Sequence, residues 1–220
     1  MNLNRYLDHT LLSASATEAD ILQLCEEALK YNFYSVCVNS SNVILAKQAL
    51  GHSDVKICTV VGFPLGAMST EAKIFEAKNA TEQGATEIDM VLNIGRLKSK
   101  NYLAVLKDIS DVKRAIGFTT LKVILEISEL SKNEIVKACE ICMDAKADFI
   151  KTSTGFSKSG ATLTAVKIMR KTVRDQVKIK ASGGIRDAET AQKYIDIGVD
   201  RIGASAGVAM MNELAAKAAY

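Results

Sequence analysis

Two lysines and two aspartates interrupt short apolar runs of this chain, at spacings that would bring an amine, a second ammonium and a carboxylate together. In Asp148-Phe149-Ile150-Lys151-Thr152-Ser153-Thr154-Gly155, Lys151 closes an apolar run and precedes a small, polar loop. An ammonium buried without partners is costly, so an inward lysine is either desolvated or opens into a mouth. Desolvation favours the neutral amine, and a neutral amine attacks carbonyls. The alternative is a stem that snorkels past the strand end to solvent. In Lys178-Ile179-Lys180-Ala181-Ser182, Lys180 precedes a similar small-residue turn, while Lys178 is better suited to solvent. On neighbouring strands roughly 4.8 Å apart the two ammonium groups repel, and one of them is pushed toward the neutral form. Asp89 interrupts Glu87-Ile88-Asp89-Met90-Val91-Leu92, where a carboxylate is normally excluded unless paired. It can face both lysines and shuttle protons directly or through water; the alternative is a structural ion pair or a helix cap. Asp8 in Leu7-Asp8-His9 and Glu126 in Leu125-Glu126-Ile127 are candidates for the same polar layer, or for simply neutralising a lysine.

Beyond Lys180 the chain reads Ser182-Gly183-Gly184-Ile185-Arg186, and a second glycine turn follows at Gly203-Ala204-Ser205. Glycine lets a backbone approach a ligand closely, and backbone N–H groups at a helix start bind phosphate. Ser205 adds a hydroxyl and Arg186 a cation, while Gly155 and Ser157 can close a third side. Such turns are also ordinary connections between elements. Two of them beside two lysines are the more specific pattern.

These residues need a scaffold that converges strand ends. Apolar, β-branched runs occupy residues 6–10, 33–38, 56–62, 87–92, 121–127, 149–152, 177–181 and 201–203. Segments with helical spacing lie between them, such as Ile21, Leu22, Cys25, Ala28 and Leu29, or Leu103, Leu106, Ile109 and Ile116, and Thr17, Ser69, Ser131 and Asp187 are candidate helix caps. Eight strand–helix units in 220 residues predict an α/β fold, a single (β/α)8 TIM barrel spanning 1–220 as one domain. An open doubly wound sheet would carry a glycine-rich turn after the first strand, and Leu11-Leu12-Ser13-Ala14-Ser15 follows instead. In a barrel the chemistry gathers at the C-terminal strand ends, where the loops that follow them begin.

Composition narrows the partners. A formal net charge of +3 with scattered basic residues argues against nucleic acid, and no apolar stretch approaches the ~20 residues of a membrane span. The first residues, Met1-Asn2-Leu3-Asn4-Arg5, lack the apolar segment of a secretion signal, which predicts a cytoplasmic location. Five cysteines are an odd number and no disulfides are expected; four of them fall within helix-like or strand-like apolar patterns that bury a free thiol, and Cys139 and Cys142 read as structural despite their C-x-x-C spacing. With only His9 and His52, a histidine-built metal site is hard to assemble, so no metal is expected.

The motifs together resemble the deoxyribose-phosphate aldolase family of class I, Schiff-base aldolases. The resemblance runs through LDHTLL at 7–12, CVN at 37–39, VGFPLG at 61–66, EIDMVLNIG at 87–95, LKVILE at 121–126, ADFIKTSTGF at 147–156 and KASGGIR at 180–186. It implies a (β/α)8 barrel and reversible cleavage of 2-deoxy-D-ribose 5-phosphate to glyceraldehyde 3-phosphate and acetaldehyde, with no metal or organic cofactor required. It further implies Lys151 as the Schiff-base lysine, Lys180 as the second lysine, Asp89 as the proton relay and Asp8 as a supporting acid. Gly155, Gly183, Gly184, Arg186, Gly203 and Ser205 fall on phosphate-binding turns. The chain departs from some members at Phe156, where they carry lysine, and at Ala181, where they carry proline. Tyr220 matches a C-terminal tyrosine that assists in some members. The architecture admits a homodimer. A phosphosugar isomerase or synthase barrel would share the phosphate cradle without needing two lysines, and a non-catalytic phosphosugar-binding module would tolerate losing Lys151.

Overall fold

The computed structural model describes residues 2–218. Eight parallel strands, β1 (Leu7–Leu11), β2 (Ser35–Val38), β3 (Lys56–Val61), β4 (Glu87–Val91), β5 (Thr120–Ile124), β6 (Phe149–Lys151), β7 (Lys178–Ser182) and β8 (Arg201–Ala204), pair in chain order. The last returns to the first, with Leu7 opposite Ile202, so the sheet is a closed barrel. Each predicted run overlaps one of these strands, and four of the strands (β1, β5, β7 and β8) reach one residue beyond their run. The run at 121–127 overshoots, because Ile127–Glu129 turns into a single 3-10 turn after Glu126.

Helices cover the barrel: α1 (Glu18–Lys30), α2 (Val43–Leu50), α3 (Thr70–Gln83), α4 (Ile94–Lys98), α5 (Tyr102–Ile116), α6 (Lys132–Asp144), α7 (Leu163–Val173), α8 (Ala188–Asp196) and α9 (Gly207–Ala218). The four expected caps start α1, α3, α6 and α8. Thr17, Ser69, Ser131 and Asp187 each accept a hydrogen bond from the backbone N–H three residues on, which satisfies an otherwise orphaned donor. At Thr17 and Ser131 the bond is reciprocated by Asp20 and Glu134, closing capping boxes.

The apolar core lies between strands and helices, as two-sided parallel strands require. Two expected helix faces are shifted. In α5 the buried ladder is Val105, Ile109, Val112 and Ile116, which leaves Leu103 80% exposed on the opposite side. In α1 it is Ile21, Leu24, Cys25 and Ala28, so Leu22 and Leu29 fall off the stripe and are partly in solvent. The five cysteines are free and buried. Burial pushes Cys139 up to about 12 and Cys142 well above the usual thiol range, so neither supplies a thiolate for metal or redox work.

Candidate active site

Inside the barrel the apolar pattern gives way to a buried polar layer. Alternation along each strand turns Asp8, Asp89, Lys122, Lys151, Lys180 and Arg201 inward, and all are at most 4% exposed. Asp89 is the hub. Its Oδ2 accepts from Lys151 Nζ at 2.9 Å and from Lys180 Nζ at 2.9 Å, and its Oδ1 accepts from Lys122 Nζ at 2.8 Å. Lys180 Nζ also lies 2.5 Å from Asp8 Oδ2. Arg201 donates to Asp8 Oδ1 at 2.6 Å and to Glu87 Oε1 at 2.9 Å, and Glu87 Oε2 lies 2.6 Å from Lys122 Nζ.

The electrostatics follow from this packing. Burial opposes charge on Asp89, but Lys122, Lys151 and Lys180 outweigh it and hold the carboxyl well below the usual range. Burial likewise opposes the charge of Asp8, and Lys180 and Arg201 hold it low. On the other side, desolvation is overcome at Lys180 by Asp8 and Asp89, and at Lys122 by Asp89 and other anionic neighbours, so both stay cationic. The expected repulsion between Lys151 and Lys180 is thus mediated by a shared carboxylate. Lys180 is the member of the pair fixed in its charged form.

Of these lysines, only Lys151 lines the cavity above the layer, a space of about 490 Å³ at the C-terminal ends of the strands. The same wall contains Gly155, Gly183, Gly184, Arg186, Gly203 and Ser205, together with Phe156 and Thr10 to Ala14. Hydrogen bonds lock the two lysine strands just beneath their loops. Thr152 Oγ1 donates to Ser182 O at 2.9 Å and accepts from Ser182 N at 3.0 Å, while Ser182 Oγ donates to Ser153 O.

Two expected members stand elsewhere. Glu126 does not touch the lysines: with φ at 55° it turns its Oε2 to Thr154, accepting from the backbone N–H at 3.3 Å and from the hydroxyl. It braces the loop after Lys151. Ser157 hydrogen-bonds Glu129 instead of closing the cavity, because its loop folds over the 3-10 turn. Tyr220 lies outside the described residues.

Lys122, Glu87 and Arg201 were not anticipated as site residues. The signal that singled out Asp89, a charge inside an apolar strand, applies equally to Lys122 in Leu121-Lys122-Val123. Glu87 and Arg201 begin their strands, where a charge reads as a solvated edge. Cys58 joins too, its thiol 3.1 Å from Asp89 Oδ1. Cys37, Cys58 and Asp89 offer ligand atoms within 4.8 Å of one another. Burial and its neighbours keep the Cys58 thiol protonated, and the three lysines already occupy Asp89, so the set is poorly suited to a dication.

A buried lysine at the floor of a glycine-rimmed cavity is the equipment of an imine-forming enzyme. Residues 4–213 match the family model described as DeoC/LacD family aldolase. The chain belongs to that family of aldolases. It is 57% identical over 208 residues to a deoxyribose-phosphate aldolase of Finegoldia magna, covering 94% of this chain and 98% of the relative. It is 53% identical to deoxyribose-phosphate aldolase 1 of Mesoplasma florum over the whole of both chains. The tetrameric deoxyribose phosphate aldolase of Aeropyrum pernix superposes with a TM-score of 0.86 at 32% identity, covering 96% of this chain and 90% of that one. The closed barrel is therefore the fold of an aldolase, an aldehyde-lyase, and among the described residues no helix is long and apolar enough to cross a membrane.

Proposed function

We propose that this aldolase cleaves 2-deoxy-D-ribose 5-phosphate reversibly to glyceraldehyde 3-phosphate and acetaldehyde, with Lys151 as the Schiff-base residue. The observation that carries the assignment of roles is the inventory of the polar layer. Lys122, Lys151, Lys180 and Arg201 face Asp8, Glu87 and Asp89, one cation more than the carboxylates can neutralise. Lys180 and Lys122 each meet two carboxylates, whereas Lys151 meets Asp89 alone and is the lysine at the cavity. Its deprotonation leaves the layer balanced.

The neutral amine attacks C1 of the open-chain aldehyde, and loss of water gives an imine. Protonated, the imine is an electron sink: removal of the C3 hydroxyl proton breaks the C2–C3 bond, releases glyceraldehyde 3-phosphate and leaves an enamine on Lys151. Asp89 relays a proton through water to C2. Its depressed pKa suits passing a proton rather than storing one, with the Lys180 ammonium as the source 2.9 Å away. Asp8 supports Lys180. Hydrolysis of the resulting imine frees acetaldehyde. The phosphate, at the far end of the substrate, sits against Gly155, Gly183, Gly184, Gly203 and Ser205, with Arg186 at the rim.

The proposal places this reaction in deoxyribose catabolism in the cytoplasm, where buried free cysteines persist, and in one domain of residues 1–220 that self-associates as a homodimer. Borohydride reduction with acetaldehyde, followed by peptide mapping, tests the chemistry. An adduct on Lys151 that Lys151→Leu abolishes is expected; an adduct on Lys180 would reverse the two roles, and none on any lysine would overturn the Schiff base.

A further inference from the structure

His9 lies outside the catalytic layer, yet its surroundings connect it to one wall of the cavity. Asp8 faces the barrel interior, so the next residue of β1 faces the helices. His9 is 2% exposed, and its Nε2 stands 2.7 Å from Glu27 Oε2 on α1. Nδ1 is buried and, among the described residues, has no hydrogen-bond partner. That nitrogen is pressed against the start of α9. A Cβ on Gly207, the first residue of α9, would sit 2.9 Å from His9 Nδ1 and 3.1 Å from Phe33 Cζ. The Phe33 ring in turn packs on His9, with centroids 4.9 Å apart.

Gly207 follows Ser205 by two residues, and Gly203, Ala204 and Ser205 form the cavity wall assigned above to the phosphate. His9 is also the register partner of Ala204 across the β1–β8 seam. Whatever sets the height of the first turn of α9 over β1 therefore sets that wall. The imidazole does so with a carboxylate behind it. A proton on Nε2 directed at Glu27 leaves the Nδ1 lone pair facing the partly positive end of the helix, an attractive arrangement in a buried site.

We infer that His9, held by Glu27, is a positioning residue that seats the first turn of α9 and thereby tunes affinity for the phosphate end of the substrate. The inference rests on the phosphosugar reading above. It requires that the effect track the phosphate group and spare the carbon chemistry at Lys151.

The test compares 2-deoxyribose 5-phosphate with unphosphorylated 2-deoxyribose in otherwise identical cleavage assays. His9→Leu is expected to raise KM for the phosphate ester about tenfold with kcat within about twofold, and to leave kcat/KM for the free sugar unchanged. His9→Gln, which keeps a donor at the Nε2 position, is expected to recover most of the loss. Gly207→Ala should raise KM in the same selective way, and its 2.9 Å clash with the imidazole should be removed in His9→Ala/Gly207→Ala, leaving only the approach to Phe33 and giving a double-mutant cycle that is not additive. Equal losses on both sugars, or no loss on either, would overturn the inference. Should His9→Leu fail to fold, Glu27→Gln reads the same selectivity from the partner side. If the unsubstituted protein cleaves neither sugar, the functional reading falls by itself. Calorimetric titration with inorganic phosphate then decides the inference: weaker binding by His9→Leu supports it, and unchanged binding overturns it.

Discussion

Lys151 and Lys180 grip one atom, each with its Nζ 2.9 Å from Asp89 Oδ2. Lys122 holds the other oxygen of that carboxylate. A proton leaving one lysine therefore has the second within reach through a single oxygen, with no side-chain rotation needed.

Lys180→Leu removes the cation that two buried carboxylates share. We expect kcat to fall by roughly 10²–10⁴, the usual contribution of a placed proton-transfer group. Borohydride should still trap acetaldehyde slowly on Lys151. Retention of kcat within about tenfold would remove Lys180 from the proton path.

The carboxylates set the acid limit of stability. Asp8 and Asp89 have folded pKa values below their unfolded value of about 3.9, so their contribution is full above that pH and is lost as the pH falls toward the folded values. Lys180 and Lys122 have raised values, so theirs is full below about 10.4 and is lost as the pH climbs beyond it. Urea midpoints should form a plateau across the neutral range and fall at both edges. In Asp8→Asn the acid edge should be shallower; an edge of unchanged slope would show that Asp8 does not carry it.

Gly183 has a φ of 92° and touches the loop after β6: a Cβ there would sit 2.8 Å from Gly160 Cα. Gly183→Ala therefore both strains the turn and pushes the two cavity-wall loops apart. KM for the phosphate ester should rise about tenfold or more, an effect of about 1.4 kcal/mol. Initial-rate kinetics checks this, and an unchanged KM would place the phosphate elsewhere.

Away from the site, Lys73 Nζ is buried between Asp108 Oδ2 at 2.6 Å and Val91 O at 3.0 Å, pinning α3 to α5 and to the end of β4. Lys73→Met strands the Asp108 carboxylate and should cost about 3–5 kcal/mol of unfolding free energy. Lys73→Met/Asp108→Leu should recover much of that loss in denaturant titration. If the double substitution is as unstable as the single one, packing rather than the stranded charge is responsible.

Eight apolar runs, four side-chain caps, Lys151 at the end of its strand and Lys180, Asp89 and Asp8 inside theirs were readable from the chain, because each is local. A short β-branched apolar run, an N-cap side-chain oxygen and a charge inside an apolar run all follow from a few consecutive residues. The glycine turns were readable for the same reason. The positions of Leu103, Leu22 and Leu29 were not, since which stripe of a helix is buried depends on the angle at which it meets the sheet. Closure of the barrel decided the rest. It brought Lys122, Glu87 and Arg201 from separate strands into one network. It also left Glu126 outside that network, where a positive φ at the strand end directs the carboxylate to Thr154. The sequence alone determined which groups could do chemistry. Only the tertiary structure decided which lysine is left with a single carboxylate, because ion pairing is a property of atoms within a few ångströms, and those atoms lie tens of residues apart along the chain.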